Sequence, residues 1–181
     1  MNILIMAAGA VGGYFGSVLS TSNEVTFVAR GEHLRKIQKS GLSIKSVTSG
    51  NYVCLSKAYR EPPAEYQADL VIFCVKEYQN DEASEIIASS ISDNTTILTL
   101  QNGLGSGEFL SQKFGSEKVV LGAAYVEASK GDPGEIVEHG GGCRITFGKQ
   151  SDLQEDRIKE LSKMFEGSSI DFTVSENIYD D

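Results

Sequence analysis

Apolar residues fall along this chain in short, nearly continuous runs that alternate with amphipathic stretches. Residues 2–6, 24–29, 70–75, 96–100 and 119–126 are runs of the first kind, the signature of strands buried on both faces. Residues 11–20, 32–39, 81–91 and 107–114 predict helices. The third of these carries Ala83, Ile86, Ile87 and Ile91 on one face, and Gly41 stands where the second should end. Residues 153–165 predict another amphipathic helix, with Leu153, Ile158, Leu161 and Phe165 inward, followed by a last strand at 170–174. Residues 42–47 and 52–55, around Ser49-Gly50-Asn51, predict a hairpin. Residues 135–139 and 143–148 predict an antiparallel pair joined by Gly140-Gly141-Gly142. Pro62-Pro63 and Gly131-Asp132-Pro133-Gly134 mark loops.

Repeated strand–helix units of this kind predict an α/β fold: a Rossmann-type, doubly wound, mostly parallel sheet with an added antiparallel portion, over residues 1–174. Residues 175–181 read as the cap and acidic first turn of a further helix. They are expected either to begin a linker to another domain or to be a frayed tail.

The junction of the first strand and the first helix changes the picture most. Ala7-Ala8-Gly9-Ala10-Val11-Gly12 occupies the G-x-G-x-x-G fingerprint of a dinucleotide site, with alanine in its first position. The second glycine lets backbone approach a pyrophosphate, the third lets helix and strand pack closely, and the helix N-terminus offers free N–H groups. The Cβ of Ala7 would crowd the turn if its φ were positive, at about 1 kcal/mol, and would cost little in extended backbone.

Composition narrows the partners. The net charge of −9 argues against nucleic acid or an anionic membrane surface, so an anionic cofactor needs locally placed cations. No apolar run reaches membrane-spanning length, and residues 3–6 are too short for a signal-peptide core. Cys54, Cys74 and Cys143 are far apart and odd in number. With two histidines they predict no metal site, but buried free thiols and a cytoplasmic location.

Ligands of such sheets bind beyond the carboxyl ends of the strands. The second strand ends at Arg30, where an NAD site usually has an acid. Arg30 either forks onto an adenosine 2′-phosphate, with Arg35 and Lys36 close enough to assist, or is a solvated strand-end arginine; the turn upstream favours NADP. The fourth strand delivers Lys76, either a cation near the nicotinamide half and a substrate carboxylate or a surface lysine. Tyr78 is a candidate wall of the site or a packing residue. The fifth strand delivers Asn102, which can bridge a ribose hydroxyl and a substrate group or simply turn the chain with Gly103. His33 and His139 have no identifiable acid partner and read as structural, and no Ser-His-Asp pattern occurs.

Together, Gly9–Gly16, Val28-Ala29-Arg30-Gly31, Cys74-Val75-Lys76, Gln101-Asn102-Gly103, Gly122, Ala128, Pro133-Gly134, His139 and Gly148 resemble ketopantoate reductase (2-dehydropantoate 2-reductase), over essentially the whole chain. The resemblance implies NADPH-dependent reduction of 2-dehydropantoate to pantoate, in pantothenate and coenzyme A biosynthesis. By motif, Ala7, Ala8, Gly9, Ala10, Val11 and Gly12 would hold the pyrophosphate and Arg30 the 2′-phosphate. Lys76 and Asn102 would line the nicotinamide and substrate end, and Ala128 would contact the cofactor there. The family's catalytic lysine lies in a helical C-terminal domain, so no residue here takes that role. The chain is expected to bind NADPH without turning over, its partner a small-molecule substrate met in the full-length protein, with a homodimer left open. Rival readings are a dehydrogenase of another 2-keto or hydroxyacyl substrate, and a non-catalytic nucleotide-sensing module.

Overall fold

A computed structural model describes residues 1–101 and 105–179. Six parallel strands form its centre: β1 (Asn2–Met6), β2 (Glu24–Val28), β5 (Lys57–Tyr59), β6 (Leu70–Phe73), β7 (Thr96–Thr99) and β8 (Val119–Lys130). Their spatial order is β5-β2-β1-β6-β7-β8, the doubly wound order, and it reverses direction between β1 and β6. The apolar runs follow from this position, because a parallel sheet covered on both faces has no polar side. Alternate residues of β1 show it: Ile3 and Ile5 join one buried cluster, while Leu4 and Met6 join another beneath the opposite face.

Helix α1 (Ala10–Leu19) packs on the first face with α2 (Gly31–Ser40), while α3 (Asn80–Ile87) and α4 (Gly105–Phe114) cover the second. Three glycines inside α1 each cost about 1 kcal/mol relative to alanine. They are kept because side chains would not fit. A Cβ on Gly16 would lie 2.6 Å from the Phe27 ring and 2.8 Å from Ile5, and one on Gly13 would lie 2.8 Å from Ile136. Phe15, Phe27 and Ile5 are fully buried against this thin helix, and each such side chain contributes about 1.5–3 kcal/mol.

The antiparallel portion is present but differs from the expected one. β3 (Leu42–Ser46) and β4 (Tyr52–Cys54) form the predicted hairpin. Residues 135–148, however, are one strand, β9 (Glu135–Gly148), not two strands joined by a glycine turn. The reversal occurs earlier, at 131–134, and β9 runs antiparallel to β8 along its length. Gly140, Gly141 and Gly142 all have positive φ (+93°, +85° and +93°), a conformation that reads as a turn in sequence. Here they form a bulge: β9 places four residues, 139–142, between Glu138 and Cys143, where β8 places one, Glu127, between Ala128 and Val126.

Two smaller corrections follow. β5 was not predicted, being only three residues long. Leu153 is 80% exposed in a single 3₁₀ turn, and Gln154 is buried in its place, donating to the Val119 and Ser116 carbonyls. Helix α5 (Glu155–Glu166) then begins, with Leu161 and Phe165 inward and Ile158 partly so. β10 (Asp171–Ser175) pairs with β9, and residues 178–179 form a turn.

Candidate dinucleotide site

A cleft of about 430 Å³ opens at the carboxyl ends of β5, β2, β1 and β6, at the reversal of strand order. Its floor is the β1–α1 turn, Ala7 to Val11, with Val28, Ala29 and Arg30 on one side and Cys74, Val75 and Lys76 on the other. A wider depression of about 810 Å³ lies at the opposite ends of the strands, beside Met1, Asn23, Asp69 and Arg157. Size does not decide between them. The first lies at the carboxyl ends of the strands, where the uncapped N-terminus of α1 meets the reversal of strand order.

The turn is fixed by backbone. The Ala8 N–H donates to the Val28 carbonyl at 2.9 Å, and the Gly9 N–H to the Ala7 carbonyl at 2.8 Å. Gly9 caps α1 in extended conformation with no side-chain hydrogen bond, and no acid stands in the first turn. The next N–H groups, at Ala10, Val11 and Gly12, therefore have no intrahelical partner. A Cβ on Gly9 would meet nothing within 4 Å, so open space lies beside this backbone. A Cβ on Gly12 would lie 2.2 Å from the Ala7 carbonyl oxygen and 2.8 Å from Ile5, so Gly12 seals helix against turn. No described non-glycine residue has positive φ, so the Ala7 methyl carries none of the anticipated strain. Open N–H groups at a positive helix end, beside a cleft this size, fit a pyrophosphate.

His33 braces the turn from beneath. It is 8% exposed, and its ring nitrogens face opposite demands. The Gly134 N–H donates to Nδ1 at 2.9 Å, so Nδ1 carries the lone pair; Nε2–H then donates to the Ala8 carbonyl at 2.8 Å. Only the neutral Nε2–H tautomer satisfies both. Burial lowers the His33 pKa below its ordinary value, against the pull of the Ala8 carbonyl. The structural role expected for this histidine is thus a specific one: it ties the β1–α1 turn to the β8–β9 reversal.

Cations converge on the cleft as the acidic overall charge required. Arg30 stands before α2 at its rim, its guanidinium 3.5 Å from the Glu82 carboxylate of α3, with both side chains mostly exposed. Lys76 lines the other rim. Arg60 and Lys130 line it too and were missed. Arg60 follows the unpredicted strand β5, so nothing marked it as a strand-end residue. Lys130 sits at the end of β8, four residues beyond the predicted limit. Arg35 pairs with Glu32 on the outer face of α2, and neither Arg35 nor Lys36 lines the cleft. Tyr78 is 86% exposed, so it neither packs nor walls the site. Ala128 lies on β8 opposite Glu138, outside the cleft's lining. Asn102 lies outside the described residues. Its neighbour Gln101 is a buried tie, donating to the Val75 carbonyl at 2.8 Å and to Asn80 Oδ1 at 2.7 Å, which fixes the ends of β6 and β7 to α3.

Burial pushes the Cys74 thiol up to about 12, so it is a neutral wall residue rather than a nucleophile. Among the described residues, no group of three or more His, Cys, Asp or Glu is placed to hold a metal, and no helix is long and apolar enough to cross a membrane.

The family model described as ketopantoate reductase PanE/ApbA matches residues 3–152. The chain belongs to this family. It is 28% identical over 177 residues to 2-dehydropantoate 2-reductase of Halobacterium salinarum, covering 97% of this chain and 58% of that protein. The crystal structure of 2-dehydropantoate 2-reductase from Geobacter metallireducens superimposes with a TM-score of 0.89 at 34% identity, over 97% of this chain and 58% of that one. D-mandelate dehydrogenase in ternary complex with NADH and anilino(oxo)acetate superimposes with a TM-score of 0.90 at 28% identity, over 99% of this chain and 58% of that one. The chain thus spans somewhat under three-fifths of the length of these ketopantoate reductase relatives, and corresponds to their Rossmann-type portion.

Proposed function

We propose that this chain is the NADP-binding domain of an oxidoreductase resembling 2-dehydropantoate 2-reductase, and that it binds NADPH without being catalytically complete. The observation that carries the reading is the cleft at the strand-order reversal. It has open N–H groups on its floor and an arginine, not an acid, at the end of β2. The pyrophosphate would lie against the Gly9–Gly12 backbone, and Arg30 would take the 2′-phosphate. Lys76 and Asn102 would orient the nicotinamide end and the carboxylate of a 2-keto acid such as 2-dehydropantoate. A bound nicotinamide would supply the hydride. This chain's contribution is to hold it in one orientation against the open edge where substrate arrives, and orientation accounts for much of the rate in such reactions.

A second reading is an NADH-dependent dehydrogenase of another 2-keto or hydroxyacyl substrate. The Glu82 carboxylate beside Arg30 favours it, because an acid there suits a ribose 2′-hydroxyl, and the D-mandelate dehydrogenase neighbour holds NADH. Calorimetric titration with NADPH and NADH at fixed salt separates the two. Preference for NADPH that Arg30→Ala removes supports the first reading, and preference for NADH contradicts it. Steady-state reduction of 2-dehydropantoate by residues 1–181 would contradict the catalytic incompleteness.

A further inference from the structure

The adenosine end of the cleft carries two arginines that differ in what already holds them. Arg60 follows β5 directly, and β5 lies beside β2 with Tyr59 opposite Val28. The Ala29 N–H donates to the Tyr59 carbonyl at 3.0 Å, which fixes the residue before Arg30 against the residue before Arg60. Both arginines line the same cleft. Arg30 faces Glu82, so the pair carries little net charge. Arg60 has neither an ion pair nor a side-chain hydrogen bond among the described residues, although it is an exposed residue in a chain with an excess of acids. Pro62 and Pro63 stiffen the backbone that follows it.

An adenosine 2′-phosphate brings close to two negative charges and three acceptor oxygens, and one arginine already neutralised by a glutamate cannot match them. We propose that Arg60 is a second 2′-phosphate residue and determines cofactor specificity jointly with Arg30. Arg60 supplies the standing positive charge, and Arg30 exchanges the Glu82 carboxylate for phosphate oxygens. The proposal rests on the NADPH reading above. In the absence of the 2′-phosphate, Arg60 adds nothing to adenosine binding.

Two adenosine probes that differ only in the 2′-phosphate, 2′,5′-ADP and 5′-AMP, test this by calorimetry on the chain at fixed low salt. Wild type should prefer 2′,5′-ADP. Arg60→Ala should weaken 2′,5′-ADP by about tenfold or more and change 5′-AMP by less than about twofold, as expected for loss of one charge-assisted contact. Glu82→Gln should strengthen 2′,5′-ADP, because Arg30 no longer leaves a partner. Arg60 is exposed, so the melting temperature of the free variant should not change. Should it fall, Arg60→Gln is the variant to read. An Arg60 variant that retains the full preference, while Arg30→Ala abolishes it, overturns the role of Arg60 and leaves the NADPH reading standing. A wild-type chain that binds both probes equally overturns both.

Discussion

Two glycine-rich segments of this molecule gather backbone N–H groups and come to opposite ends. At Gly9–Gly12 the space beside Gly9 is open, no side-chain hydrogen bond caps the helix, and no acid stands in its first turn. At Glu138–Gly142 the chain supplies its own anion. The Glu138 carboxylate, 1% exposed, accepts from Ser46 Oγ at 2.6 Å, from the Thr48 N–H at 2.9 Å and Oγ1 at 3.0 Å, and from the Gly140 N–H. Burial alone would raise its pKa. The hydrogen bonds from Ser46, Thr48 and Gly140 outweigh burial and hold it at about 2, against an ordinary 4.5. Donors that the fold satisfies internally lock β9 to the β3–β4 hairpin. Donors left open at a helix end are available to an anion.

Removing the internal anion should have the largest effect on stability. Glu138→Ala leaves Ser46, Thr48 and Gly140 without their acceptor, at about 3 kcal/mol by urea unfolding at pH 7, with NADPH affinity of the folded protein unchanged. Because the folded pKa is depressed, this contribution is full above pH 4.5. It is lost as pH falls toward 2, so the gap between wild type and variant should close in acid. Gly12→Ala attacks the open site. Its Cβ collides with the Ala7 carbonyl, which should cost about 1–3 kcal/mol and, unlike Glu138→Ala, weaken NADPH by about tenfold or more.

His33 ties the β1–α1 turn to the β8–β9 reversal, since one nitrogen serves Ala8 and the other Gly134. His33→Ala should cost about 1–2 kcal/mol. The His33 pKa is lowered in the folded state, so this contribution is full above 6.5, the ordinary value, and declines as pH falls below it; wild-type and variant melting curves should converge in that range. Arg30→Ala should have the smallest effect on stability, within about 0.5 kcal/mol, while removing discrimination between NADPH and NADH.

Legibility from the sequence followed burial. Strands buried on both faces, such as β1 and β6, announce themselves as apolar runs, and helix α1 must carry glycine at 12 and 16 because backbone and Phe27 leave no room. β5 has only three residues and one buried side chain, Ala58. It gave no pattern, and its end residue Arg60 was hidden with it. The glycines at 140–142 misled because positive φ serves bulges as well as turns; what distinguishes the two is the partner strand β8, which lies beside them in space and not in sequence. Glu138 looked like any strand glutamate, for its partners Ser46 and Thr48 lie some 90 residues away.

The central claim is that the open donors of the β1–α1 turn, and no other part of the molecule, receive the pyrophosphate. Backbone amide NMR of the isotope-labelled chain, titrated with NADPH, tests it most directly. The account predicts the largest shifts at the amides of Ala10, Val11 and Gly12, with smaller ones at Arg30 and Lys76 and none around Gly140. Shifts centred on Asn23, Asp69 and Arg157 at the opposite ends of the strands, or no shifts at saturating NADPH, would contradict it.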